Sequence, residues 1–261
     1  MLERILNHYG FSRLPFGKDI AESEIYPTKS ISEAGAMVEL GLESEDIILI
    51  TGPIGCGKSL AVRRAAGRLD TSNYQLIYLR GSIGSAAELY KMVLRGMKID
   101  PPHSIGKAKP AYFTAAADAT RKPVVIIDDA QDAAQDALLS LKAMTNFETD
   151  SRSRVTFILA GQPELTAILS YAHFDSLRAR IRLSNQMSGM CLEETCEYID
   201  HGLKIVKREE KLFSDNAKME IHKRTNGIAR HVNSLCYGAI VQGVIEGKSI
   251  IDGGDLPDKV L

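Results

Sequence analysis

The sequence predicts an α/β fold: a parallel sheet of about five strands flanked by helices, followed by a small all-helical domain. Three observations carry this expectation. Four short apolar runs rich in β-branched residues recur through the first 190 residues. Segments long enough for a helix separate them, the pattern of βαβ units that cover a sheet on both faces. After Met190 such runs stop, and the apolar residues take a helical spacing instead.

Taken in order, residues 46–51 form the first run, Asp-Ile-Ile-Leu-Ile-Thr, closed by Gly52. A β-branched run of this kind reads as a buried parallel strand. Residues 75–79, 123–128 and 155–160 are three more of the same kind, and a weaker fifth strand is expected near 181–187. Helices are predicted over 58–68, 85–95, 110–121 and 132–149, and a loop over 100–106, where two prolines stand together. Beyond Met190, the residues Leu192, Cys196, Ile199, Leu203 and Val206 form one helical stripe. Ser214 is placed to cap a second helix ending at Gly227, and residues 228–245 read as a third. The expected domains are therefore 1–189, the α/β core, and 190–261, the helical part. No internal repeat is visible.

Composition narrows the function classes. The chain has 261 residues, 44% hydrophobic and 25% charged, the balance of an ordinary globular protein. With 32 Lys and Arg against 33 Asp and Glu, the net charge is −1. No global positive field announces a nucleic acid, so any such site must be a local patch. No apolar run approaches the roughly 20 residues needed to span a bilayer. The opening Met1-Leu2-Glu3-Arg4-Ile5 has no basic stretch leading into an apolar one, so no signal peptide is expected and a cytoplasmic location is. The four cysteines, Cys56, Cys191, Cys196 and Cys236, match neither a disulfide framework nor a zinc spacing.

The chemistry is concentrated in two segments. Gly52-Pro53-Ile54-Gly55-Cys56-Gly57-Lys58-Ser59 is a complete phosphate-binding loop, entered from a strand and left by a helix that begins at Lys58, Ser59 and Leu60. Its glycines let backbone N–H groups surround phosphates, Lys58 reaches the β- and γ-phosphates, and Ser59 offers a hydroxyl to Mg²⁺. Val124-Val125-Ile126-Ile127-Asp128-Asp129 is the matching apolar strand ending in carboxylates. Asp128 is placed to hold Mg²⁺ with Ser59, and Asp129 to orient and deprotonate an attacking water. ATP and Mg²⁺ are the expected ligands.

On these residues a resemblance becomes usable. The chain resembles an AAA+ ATPase, and within that superfamily the ExeA-type group, which includes secretion-pathway ATPases and the ATP-binding proteins that accompany bacterial DNA transposases. Residues 9–20, Tyr-Gly-Phe-Ser-Arg-Leu-Pro-Phe-Gly-Lys-Asp-Ile, are similar to the opening box of the transposase-associated members. Asp128-Asp129-Ala130-Gln131, the run Ala160 to Leu165, Arg178-Ala179-Arg180-Ile181 and the run Gly227 to Leu235 resemble four further motifs, in the family's order.

The resemblance implies roles residue by residue. Gln162 falls near the sensor that reads the γ-phosphate, or is a turn residue in Gly-Gln-Pro. Arg180 matches the arginine finger that acts in a neighbouring subunit's site, with Arg178 and Arg182 as competitors. Arg230 matches the second sensor on a helical lid. Phe16 either covers the adenine or packs in a core. The family usually has Glu where this chain has Asp129, so slow hydrolysis is expected. The implied function is an ATP-dependent switch that forms a ring or helical homo-oligomer on double-stranded DNA and regulates or targets a transposase, with hydrolysis driving disassembly and no membrane partner. Candidate phosphate contacts are Lys107, Lys109, Arg121, Lys122, Arg152 and Arg154, with Lys204, Lys207 and Arg208 as a second patch. The alternative is a cytoplasmic ATPase of a secretion or envelope-assembly system. Members of that type usually continue into a transmembrane helix, which residues up to Leu261 do not supply.

Overall fold

The computed structural model describes residues 1–17, 21–44, 47–147, 154–208 and 210–258. In chain order the elements are α1 (Leu2–Tyr9), α2 (Lys29–Ser44), β1 (Ile47–Thr51), α3 (Lys58–Gly67), β2 (Tyr74–Arg80), α4 (Ala86–Gly96), α5 (Ile105–Ala117), β3 (Lys122–Asp128), α6 (Gln135–Met144), β4 (Thr156–Gly161), α7 (Pro163–Leu169), α8 (Asp175–Arg178), β5 (Ile181–Gln186), α9 (Leu192–Lys204), α10 (Asp215–Thr225) and α11 (Ala229–Glu246). They group into two compact units. One comprises residues 31–52 and 58–187; the other comprises 1–30, 53–57 and 188–261.

The first unit is an α/β sandwich around a five-stranded parallel sheet in the order β2-β3-β4-β1-β5. All residues of β1 and β4 are buried, as are six of the seven in β3. Central parallel strands are covered on both faces, which is why these segments read as continuous apolar runs. Burying side chains such as Ile47, Ile50 and Phe157 contributes about 1.5–3 kcal/mol each. The expected weak fifth strand is β5, an edge strand with alternating partial exposure.

β2 differs from expectation. It forms the opposite edge, and Leu76 and Tyr78 on one of its faces are 40% and 43% exposed while Ile77 and Leu79 are buried. It is a half-open edge strand, not a fully buried one.

Two helices also differ. α5 begins at Ile105, after Ser104, so the loop expected over 100–106 is shorter and Pro110 lies inside the helix. The carbonyl that Pro110 leaves without its N–H partner is that of Gly106, an exposed residue. A carbonyl freed on an exposed turn can bond water, which softens the penalty of an internal proline. The helix predicted from 132 is interrupted: a 3₁₀ turn over Ala130–Asp132 precedes extended Ala133 and Ala134, and α6 starts at Gln135. The far end of that prediction, 148–149, lies outside the described residues, as do Lys18, Asp19 and Ile20 of the N-terminal box.

The second unit has its own core, which includes Phe213, Ile221, Val232, Leu235 and Ile240. α9 opens with a capping box: the Cys191 sulfur accepts from Glu194 N–H while the Glu194 carboxylate accepts from Cys191 N–H. Ser214 caps α10 through Ala217 N–H at 3.0 Å. The first 30 residues, expected with the α/β core, group here instead. Ile5 and Tyr9 of α1 are buried in this core, Tyr26 donates to Glu197, and Lys29 N–H donates to Glu194 at 2.7 Å. At the other end, this unit begins at Ser188.

Candidate functional site

The phosphate loop runs from the end of β1 to the first turn of α3. Gly55 and Gly57 have φ of +85° and +103°, conformations open to glycine and strained for other residues. Cys56 N–H closes a tight turn onto the Pro53 carbonyl at 3.4 Å. A loop of this shape, ending at a helix N-terminus, presents backbone donors and a positive dipole end to an anion. The fit to a polyphosphate is therefore built into the backbone. Ile54 at the tip is half exposed, while Ser59 and Leu60 are partly buried.

In the sheet unit, Gly52 N–H donates to Gly161 O at 3.2 Å, joining the end of β1 to the end of β4. Lys58 is 7% exposed, and its Nζ donates to Gly52 O at 2.9 Å. Next to it in sequence, Ser59 lines an open cleft of about 350 Å³ with Arg63, Tyr78, Arg80, Asp128 and Asp129. A serine hydroxyl and a carboxylate in one cleft are hard oxygen donors suited to Mg²⁺. Among the described residues, no group of three or more His, Cys, Asp or Glu is placed to hold a metal alone. Mg²⁺ commonly takes one or two protein oxygens and completes its shell with phosphates and water, and the donor set fits that pattern.

The two carboxylates are held differently. Asp128, 8% exposed, accepts from Tyr78 Oη at one oxygen and from Asp129 N–H at the other, 3.2 Å away. Burial and the neighbouring Asp128 carboxylate push the Tyr78 hydroxyl up to about 12. Asp129 is exposed and sits in the left-handed region at φ 55°, ψ 42°, where Asp and Asn are tolerated better than other side chains. A side chain on Gly81 would overlap the Asp129 carbonyl oxygen, so the bend at Asp129 needs a glycine on the neighbouring strand's exit.

Gln131 links this carboxylate to the next strand. Its Nε2 is 3.5 Å from Asp129 Oδ1, and its Oε1 accepts from Gln162 N–H at 3.0 Å. Gln162 itself is the residue before α7, with Pro163 at the first helical position. Its backbone thus shares the Gln131 side chain with Asp129.

The three arginines around β5 separate. Arg178 donates to Leu169 O and Ser170 O, each at 3.1 Å, and to the Asp175 carboxylate at 2.5 Å. Those bonds tie it to its own unit's helix ends. Arg180 is partly buried at the start of β5, its carbonyl accepting from Ile47 N–H, and Arg182 is exposed two residues on.

In the helical unit, Arg230 lies in the first turn of α11, exposed, and its backbone N–H donates to Gly55 O at 3.2 Å. A side chain on Gly55 would overlap the Arg230 Cβ. The loop residues 53–57 thus group with this unit through the N-terminal end of α11. Phe16 packs against Gly202 of α9, with its backbone at φ 58°.

Several candidate phosphate contacts are engaged within the fold. Arg121, Lys122, Arg154 and Arg208 donate to the carbonyls of Thr71, Leu42, Ala117 and Tyr9. Lys107, Lys109, Lys204 and Lys207 are exposed, and Arg152 lies outside the described residues.

Sequence reasoning missed Tyr78, Arg63, Arg80 and the bridging role of Gln131. The same-face alternation of Leu76, Tyr78 and Arg80 was visible, but the edge position that turns this face toward the cleft depends on strand order.

Comparison with known proteins agrees with this geometry. Residues 42–169 match a family model described as AAA domain. Over 256 residues, 95% of the chain, it is 24% identical to general secretion pathway protein A of Aeromonas hydrophila, and this spans 46% of that protein's length. Solved structures share the fold: Cdc6p of Pyrobaculum aerophilum (TM-score 0.71, 14% identity, 90% of this chain and 67% of that one) and ORC2 of Aeropyrum pernix (TM-score 0.67, 14% identity, 92% and 69%). The RuvB Holliday junction branch migration motor of Thermotoga maritima is similar at TM-score 0.55 and 17% identity, over 87% of this chain and 65% of that one. Among the described residues no helix is long and apolar enough to cross a membrane. Strand order, the phosphate loop, the match to an AAA domain over residues 42–169 and these likenesses give the chain an α/β fold of the P-loop AAA+ kind, similar over most of its length to part of general secretion pathway protein A.

Proposed function

We propose that the protein is an ATP-dependent switch that hydrolyses ATP slowly, assembles as a homo-oligomer on double-stranded DNA and regulates or targets a transposase. The observation that carries the catalytic part is the convergence of Ser59, Asp128 and Asp129 on one cleft. Residues 52–60 cradle the phosphates, and Lys58 supplies positive charge toward the β- and γ-phosphates. Ser59 and Asp128 would hold Mg²⁺, which when bound neutralises charge developing on the phosphates. Asp129 holds the attacking water, takes its proton as the new P–O bond forms, and ADP leaves with inorganic phosphate as the other product. Arg180, with Arg178 committed elsewhere, would stabilise transition-state charge in a neighbouring subunit's site, and Arg230 would act as the second sensor. Gln162 would report on the γ-phosphate through the Gln131 bridge.

The DNA and transposase partners rest on the motif resemblance, supported by exposed Lys107, Lys109, Lys204 and Lys207. The 24% identity over 95% of the chain favours a second reading, an ATPase of a secretion or envelope-assembly system. Gel shift and electron microscopy with a non-hydrolysable ATP analogue separate the two. The switch reading expects nucleotide-dependent assemblies on duplex DNA, with little sequence preference and binding that falls steeply with salt. Absence of DNA binding with nucleotide present would favour the secretion reading.

A further inference from the structure

We propose that Tyr78 is a positioning residue for the metal-holding carboxylate: its hydroxyl fixes Asp128 in the orientation that accepts Mg²⁺ and its waters. This rests on the nucleotide-site reading above.

β2 and β3 are parallel neighbours in which Tyr78 is opposite Ile126 and Arg80 is opposite Asp128. Side chains two residues apart on a strand share a face, so Tyr78 and Asp128 are diagonal neighbours on one face. That diagonal is about 7–8 Å between Cα atoms, a gap a tyrosine can span. The hydroxyl then lands on Asp128 Oδ2, while Asp129 N–H takes Oδ1. With one protein donor on each oxygen, the carboxylate plane is fixed and each oxygen keeps a lone pair for the metal side. Ser59 lines the same cleft, so those lone pairs share a space with the other expected magnesium donor.

The exposure of Tyr78 gives the hydroxyl its significance. The residue is 43% exposed on an edge strand, where the phenol group can be hydrated without any protein partner. Its ring does not fill a buried core, and a phenylalanine would cover the same β2 surface. What the oxygen adds is the hold on Asp128. Groups that orient metal-side carboxylates in this way typically change metal affinity by about 10–100-fold when removed. Here the carboxylate keeps its second donor, so the lower end applies.

The test is a titration of the full-length protein with a fluorescent non-hydrolysable ATP analogue, in EDTA and across a Mg²⁺ series, with thermal melting alongside. Tyr78→Phe should raise the Mg²⁺ concentration for half-maximal tight binding about tenfold. It should leave affinity in EDTA and the melting temperature unchanged. Asp128→Asn should shift the Mg²⁺ response at least as far, and the double variant little further, because Tyr78 acts through Asp128. A Tyr78→Phe response that overlays the parent, or one shifted to lower Mg²⁺, would overturn the inference. So would a loss for Tyr78→Leu that tracks only a lowered melting temperature, with Tyr78→Phe unaffected. A parent protein that binds no nucleotide under either condition would overturn the nucleotide-site reading itself, a distinct result.

Discussion

The backbone carbonyl of Asp129 occupies the space that a side chain on Gly81 would need. Gly81 leaves the end of β2 and Asp129 leaves the end of β3, so the contact sets how closely the two strand exits approach. The left-handed turn that aims the Asp129 carboxylate depends on that approach. Gly81→Ala should therefore push Asp129 out of place. Forced overpacking of this kind costs about 1–3 kcal/mol, and melting should fall accordingly. ATPase assays should show turnover dropping by tenfold or more with nucleotide affinity largely kept, since Lys58 and the loop glycines are unchanged. Full turnover in Gly81→Ala would mean that the strand exits give way without cost to the site.

Asp129 itself carries the expectation of slow hydrolysis. Its carboxylate is one methylene shorter than the glutamate usual in the resembled family, and water positioning is sensitive to displacements of about 1 Å. Asp129→Glu should raise steady-state turnover severalfold, and Asp129→Ala should abolish it. The left-handed backbone at this position works against the longer side chain, because Asp tolerates it better. A Glu variant slower than the parent would show a site built around Asp.

Arg180 should act on a neighbouring subunit's nucleotide. Arg180→Ala and Lys58→Ala proteins should each be inactive alone. Mixed, they should recover part of the ATPase rate, because some interfaces then pair an intact phosphate loop with an intact arginine. Arg178→Ala should instead lower stability, since Arg178 bonds Leu169, Ser170 and Asp175. No recovery on mixing would remove Arg180 from this role, and recovery by Arg178→Ala mixtures would move the role to Arg178.

Much of the α/β unit was legible because its signals are local and redundant. The runs at 47–50, 124–127 and 157–160 are apolar along their whole length since central parallel strands are covered twice, and the phosphate loop is fixed by glycines whose φ values require them. What failed depended on distant partners. α1 is a short amphipathic helix whose place is set by distant contacts, Ile5 and Tyr9 in the helical core and Arg4 on Val244 O, so nothing local assigns the first 30 residues to the helical part. Pro110 reads as a helix start because proline favours that position, and nothing local announces that the helix begins five residues earlier, at Ile105, with the freed carbonyl on exposed Gly106. Tyr78 looked like one apolar residue of a buried strand. Its contact with Asp128 follows from the β2–β3 register, which no single segment encodes.

The central claim is that this phosphate loop binds ATP through Lys58, the buried ammonium that donates to Gly52 O. The most direct measurement is a fluorescent-ATP titration with Mg²⁺, comparing the parent with Lys58→Ala under conditions where both are folded by melting. The parent should bind saturably, and the variant should lose at least tenfold in affinity, about 1.4 kcal/mol. Equal affinity in the two proteins would contradict the claim.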